Sequence, residues 1–416
     1  MAKSALEYYA DSLGNAVLYD QNRRPSIFVR HPLQKSSEFD ALLPATAHPA
    51  FVVNGVTDPD LLIGKYMSAE LESNGTQYSL PNKEPKVSME YDTFLTKMKA
   101  FNTGVSGSNV TGLTIADHGL LVLTAHKNGW TSHGNNNYGA DIGVGTRYEL
   151  AKSISVGNKR IFRGWEYECL IAHTTAADKL PCDAPAYWKK GKYVGGTYVS
   201  SQAVAGSNYS TYNTLTGTGP IDWNFLDDPC LEADIQGNAS EQVYGVRLVN
   251  MEIQIIPYNN AADPACDLSA ESSAWRAILP SGSNHGYTLV QPGTSGTVHY
   301  TYQNNVITLD NTAPASGDLD ESSKNTSFKD VAVNTVNIPS VPYILYELGL
   351  APLPGTNVDG KLYITMTAEE RVARRGGHYN NTSSAGVAFL NFSNARSFKG
   401  AYYGARPRSR SATLLT

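Results

Sequence analysis

The sequence predicts an α+β fold in which strands outnumber helices, and three observations carry that prediction. The chain holds 36 Gly, 21 Pro and 25 Tyr among 416 residues, with 17% charged residues, a composition that favours turns and strands over helical bundles. Two stretches, Tyr91–Phe101 and Ile115–Asn128, repeat apolar residues with helical spacing. Others alternate apolar and polar residues, most clearly Leu390-Asn391-Phe392-Ser393. At 41% hydrophobic the chain can bury a full core. Its formal net charge of −5 argues against a nucleic-acid partner and leaves membranes and neutral or basic partners open.

From the start, Ala5–Leu13 reads as a short amphipathic helix and Ser26–Arg30 as a short strand. Residues 1–45 are too few for their own core. They are expected to pack on a neighbouring subunit or a larger particle, or to strap across their own domain. A globular part opens at His48, with strand candidates Phe51–Val53 and Leu61–Ile63 separated by an Asn54-Gly55 turn and an Asp58-Pro59 break. Tyr91, Phe94, Leu95, Met98 and Phe101 mark one helical face, with Ser88 the expected N-cap. In the next helix Thr114 and Asp117 have capping-box spacing and Gly129 supplies the stop.

The Asn-rich run Gly134–Gly139 favours an irregular loop. Residues 147–214 read as an insertion with short strands. In Gly245–Ile256 the alternation slips by one residue, which predicts one long strand with a bulge near Val249-Asn250. The polar stretch within 281–335 reads as a surface excursion. Val341–Leu350 is the last helical segment, followed by a core strand at Leu362–Met366.

The stretch Arg375–Arg406 closes this series. Its polar residues are mostly Asn, Ser, Thr and Tyr, which suits a binding surface: Tyr offers rigid contact area and Ser and Asn adaptable hydrogen bonding. A polar hairpin that only covers a core has the same composition. Leu390 and Phe392 are expected to face inward, Asn391 and Ser393 outward. Phe389 falls on the solvated side, as a bulge or an apolar spot on the surface.

The pattern RGGHYNN…SAGVAFLN…NARS…YGAR resembles, in order and spacing, the variable segment that ends the C-type-lectin-fold target proteins of diversity-generating retroelements. Many of those are phage receptor-binding proteins, and the superfamily includes the formylglycine-generating enzymes. HPAF, GKY, YSLP, GNNNYG and LTGTGP are also similar to the family and extend the resemblance over most of residues 48–406. Ala239-Ser240-Glu241-Gln242 departs from it, standing where relatives usually carry an aromatic pair.

The resemblance implies a C-type lectin fold, formylglycine-generating-enzyme-like, over residues 46–406, with an N-terminal extension at 1–45 and a basic tail at 407–416. It implies a virion protein at a phage tail fibre or tail tip that binds a host-cell surface receptor, protein or glycan. Other virion proteins would be partners and a homotrimer the expected assembly. The runner-up is a decoration protein of the head or tail with a fixed surface. By match to the family's variable positions, the contacts fall at His378, Tyr379, Asn381, Thr382, Ser384, Asn391, Ser393, Phe398, Lys399, Ala401 and Tyr402. Gly376, Gly377, Gly386, Leu390, Arg396, Gly404 and Arg406 would be the framework. Phe398, Lys399 and Gly400 replace the family's usual Asn/Ser run. Arg408 and Arg410, in the tail, are expected to be disordered or to dock on a neighbouring subunit.

No cofactor and no catalysis are expected. The last cysteine is Cys266, so the C-terminal thiolate pair that holds copper in formylglycine-generating enzymes has no counterpart. His118, His126 and His133 lie too far apart for a clustered metal motif, and no EPN or QPD tripeptide offers a calcium site. No CxxC pair points to zinc. MAKSALEYYADSLG lacks an apolar signal core, and no apolar run approaches a membrane span. The expectation is a protein made and left in a cytoplasm, or released by lysis rather than secretion.

Overall fold

In the computed structural model, which describes residues 3–71, 75–197 and 212–410, strands from distant parts of the chain meet in one antiparallel sheet. Its order is Asn15–Tyr19, Pro25–Pro32, Asp60–Gly64, Pro407–Arg410, Thr111–Gly112. Of the two arrangements expected for residues 1–45, packing across their own domain is the one seen from Asn15 onward, where the segment joins this sheet. Ala16, Leu18 and Phe28 point inward and pack with Leu62, Tyr78 and Phe101, so its apolar side is satisfied within its own chain.

The supposed tail is likewise a core strand. Pro407–Ser409 are buried, Arg408 pairs with Asp117, and Arg410 sets Nε and Nη2 2.8 and 2.9 Å from the Asp58 carboxylate. Basic side chains suggested solvent, yet each finds a carboxylate inside, which is what lets a guanidinium be buried. Ahead of the sheet, α1 (Ala5–Ser12) starts with a capping box between Ser4 and Glu7 and leaves Tyr8 and Tyr9 exposed.

The largest sheet runs Ser323–Ser327, Lys361–Thr365, Leu390–Asn394, Arg371–Arg375, Ser240–Val249, Glu252–Ile255, His299–Gln303, Val306–Asp310, Ala332–Val333. Arg276–Pro280 and Tyr287–Val290 branch from it at Glu252–Ile255. One apolar cluster joins its inner face to α3 (Ile115–Asn128) and α4 (Tyr343–Glu347). The chain is thus mixed α and β, mostly strand.

α3 has the expected ends: the Thr114–Asp117 capping box and Gly129 in the left-handed region. In α2 (Tyr91–Lys99) Tyr91, Phe94, Leu95 and Met98 are buried. Its N-cap is Glu90, not Ser88. Ser88 has φ 64, a left-handed conformation that does not lead into a helix, and its N–H donates to the Gly400 carbonyl at 3.1 Å.

The slip in Gly245–Ile256 is a hairpin, not a bulge. Val249 pairs with Glu252, and Asn250 and Met251 between them have φ 50 and 62. Two successive positive φ values are the signature of a type I′ turn, whose twist matches the flanking strands. Asn54-Gly55 and Asn304-Asn305 make the same turn. The last of these lies in the stretch read as a surface excursion. There Val298, Tyr300, Ile307 and Leu309 are buried, because His299–Gln303 and Val306–Asp310 extend the sheet over the core.

Candidate functional site

The segment expected to bind begins and ends on one carboxylate. Arg375 Nη1 lies 2.7 Å from Glu241 Oε2, and Arg406 Nε lies 2.8 Å from Glu241 Oε1; all three residues are buried. Arg406 also donates to the carbonyls of Gly64, Lys65, Ala233 and Asp234. Glu241 stands where the resemblance leads one to expect an aromatic pair, and this spot is filled by an ion triad. Arg375 also approaches the buried His118, whose imidazole is kept neutral by burial and by that guanidinium.

Between those ends the backbone is pinned by close approaches. Gly376 and Gly377 have φ 80 and 76, values that L side chains rarely adopt. A Cβ at Gly386 would sit 2.3 Å from the Asp359 carbonyl carbon. Arg396 holds the far side, with Nε and Nη2 each 2.9 Å from Glu370 and Nη1 2.7 Å from Asp92. Leu390 and Gly404 are buried as well.

The expected contact residues fall into three groups. His378 stacks on Tyr402 with ring centroids 4.4 Å apart, and burial lowers its pKa to about 4. Both rings are half-buried. Tyr379, expected on the solvated patch, is instead buried at 7% exposure. The insertion is the reason. Its strands Lys159–Phe162, Trp165–Cys169 and Trp188–Tyr193 carry an aromatic cluster that takes in Tyr379 beside Tyr138 and Tyr212. Part of that insertion, 198–211, lies outside the described residues.

In the second group Asn381, Thr382 and Ser384 are half-buried in a turn. Asn381 Oδ1 accepts from the His378 N–H at 2.7 Å, and the Thr382 N–H donates to the Asn136 carbonyl at 2.9 Å. The Gly134–Gly139 loop is thereby sewn to the segment, since Tyr138 N–H also donates to the Tyr379 carbonyl. Phe398, Lys399 and Ala401 are exposed.

The third group lies on the strand Leu390–Asn394, where Leu390 and Phe392 are buried and Asn391 and Ser393 half-buried, the expected alternation. Phe389 precedes this strand and is buried, tilted against Tyr363, so it forms no apolar spot on the surface.

Sequence reasoning passed over Arg374. It faces the side of the sheet opposite Arg375, pairs in register with Asn391, and is fully buried. Its guanidinium lies 4.2 Å from the Tyr403 ring and 5.8 Å from Phe398, and Nη1 donates to Asn394 Oδ1 at 3.3 Å. The signal was the Arg374-Arg375 pair itself, since adjacent residues in a strand point to opposite faces. No family model matches this chain, and no curated protein does.

Proposed function

We propose that this chain has a C-type-lectin-type fold and that the face formed by His378, Asn381–Ser384, Asn391, Ser393 and Phe398–Tyr402 binds a host-cell surface receptor from a phage tail fibre or tail tip. The observation that carries the reading is the division of labour in this segment. Gly376, Gly377, Gly386, Leu390, Gly404 and Arg406 are buried, whereas Phe398, Lys399 and Ala401 are exposed and the polar positions half-exposed. A rigid frame under a polar-aromatic surface is what recognition by pre-organised contacts requires. The two helices α2 and α3 occur in the order the resemblance implies, which supports the scaffold.

Adsorption of particles carrying Phe398→Ala, Lys399→Ala and Ala401→Glu together tests it. The variant is expected to unfold at the wild-type temperature and to adsorb about tenfold more weakly or worse. Normal adsorption by a normally folded variant overturns receptor binding and favours the second reading, a decoration protein with a fixed surface. That reading draws on the burial of Tyr379, which removes one large side chain from the free face.

Assembly belongs to the same proposal. A homotrimer would place α1 at a subunit or virion contact, where its exposed Tyr8 and Tyr9 would be covered. Light scattering that finds a monomer, unchanged by Tyr8→Ser and Tyr9→Ser, would sink it.

A further inference from the structure

Among the described residues six arginines are buried, and five of them meet a carboxylate: Arg247 meets Glu370, Arg371 meets Glu321 and Glu369, Arg375 and Arg406 meet Glu241, and Arg408 meets Asp117. Arg374 is the sixth and meets none. Its charge is held instead by rings. Burial pulls its pKa down to about 10, and the neighbouring tyrosines Tyr403, Tyr91, Tyr244 and Tyr402 oppose that pull.

The surroundings hold further unpartnered polar atoms. Arg374 Nε and Nη2 have no hydrogen-bond partner. Neither do Gln242 Oε1 and Nε2, and Gln242 pairs with Arg374 in register on the next strand. Ser240 Oγ, two residues along the same face, is unpartnered too. A buried guanidinium without a carboxylate is costly, and a guest of opposite charge removes that cost. Arg374 is itself fully buried, with the half-exposed Asn391 across from it in register and the exposed Phe398 ring 5.8 Å from its guanidinium, so a guest enters by displacing that ring. The exposed Lys399 adds a second cation at the rim.

We infer that Arg374 is the anchor of an anion site that takes a carboxylate, so that the receptor bound by this face carries acidic groups such as uronic acids. The inference rests on the binding-face reading and supplies its ligand class. The guanidinium would hold the carboxylate by paired N–H···O bonds from Nε and Nη2, the edge that is left open. Gln242 Nε2 would add a neutral donor, and Phe398 would lie alongside the sugar ring. The same pocket chemistry accepts a free small carboxylate, and the test separates the two sources.

Glucuronate, glucose and acetate are titrated calorimetrically into the purified full chain in chloride-free buffer. Glucuronate is expected to bind and glucose not. Arg374→Met, kept only if its circular dichroism is native, should weaken glucuronate by about tenfold or more, as loss of a charge-assisted pair does. Acetate binding as tightly as glucuronate would assign the site to free carboxylates. Acetate binding much more weakly assigns it to an acidic sugar. Asn391→Asp gives an independent arm, because it puts a carboxylate opposite the guanidinium. That variant should melt higher than wild type and lose glucuronate binding.

The inference is overturned if neither acid binds at millimolar concentration, or if Arg374→Met or Asn391→Asp binds glucuronate as wild type does. Failure here, with adsorption still lost in the Phe398/Lys399/Ala401 variant, would leave the binding face standing with a neutral receptor.

Discussion

Arg408 meets Asp117 in a bidentate, fully buried pair, with Nε 3.2 Å from Oδ2 and Nη2 3.2 Å from Oδ1. The same carboxylate accepts from the Thr114 N–H at 2.8 Å and so closes the capping box of α3. One side chain therefore fixes the start of a helix to a strand from the far end of the chain. Asp117→Asn keeps the shape and removes the charge. It should cost about 3–5 kcal/mol, the range for breaking a buried pair and leaving one charge behind. Thr114→Ala, which loses only the cap, should cost about 1 kcal/mol. Denaturant unfolding of the two variants checks this, and equal small losses would mean that the ion pair contributes nothing.

The strand Leu390–Asn394 predicts a contrast within three residues. Leu390→Ala or Phe392→Ala should cost about 2–5 kcal/mol, since both are fully buried. Asn391→Ala should cost less, about 1 kcal/mol, because the half-buried side chain loses only the bond its Oδ1 accepts from the Ser393 N–H at 2.7 Å. Tyr379→Ala should now behave like the first pair, because the aromatic cluster of the insertion encloses it. A Tyr379→Ala variant as stable as wild type would mean that the insertion does not pack there in solution.

His378 makes the candidate face sensitive to acid. Burial lowers its pKa to about 4 from an ordinary 6.5, so the folded state resists protonation that the unfolded chain accepts. Its contribution is full above pH 6.5 and is lost as pH falls toward 4, a total of about 3 kcal/mol at 1.36 kcal/mol per pH unit. Buried His48 and His118 act in the same direction, so the readout is a difference. Melting temperature against pH should fall less steeply below 6.5 in His378→Phe than in wild type. Parallel curves would place His378 in solvent.

The hairpin turns predict a gain. Asn305 is exposed with φ 64 in the second position of a type I′ turn, where Gly is preferred. Asn305→Gly should raise stability by about 0.5–1 kcal/mol. Thermal unfolding that moves down instead would show that the Asn side chain makes a contact of its own.

What the sequence disclosed followed from how local the cause was. α3 could be read to the residue because its capping box and terminator are neighbours in sequence, and Leu390/Phe392 because alternation is local. Ser88 misled because a backbone in the left-handed region leaves no mark on a Ser. Asn250-Met251 misled because a type I′ turn without glycine looks like one residue too many in a strand. Asn304-Asn305 hid the core strands on either side for the same reason. The site was half legible. Composition marked the polar face, but the burial of Tyr379 depends on an insertion far off in sequence. The loneliness of Arg374 can be seen only once the carboxylates of the other buried arginines have been located.

The convergence of Arg375 and Arg406 on Glu241 has a consequence for how freely the intervening chain can change. In polymer terms the two arginines are the fixed ends of a closed loop, and its closure is settled by the triad before any residue inside it is chosen. The entropic cost of such a loop grows only with the logarithm of its length, about 0.6 kcal/mol for each doubling. Residues inserted near the exposed turn Phe398–Ala401 would therefore alter the reach and shape of the surface while the distance between its anchors stays constant. A scaffold with that property separates the variation of its recognition loop from the survival of its fold.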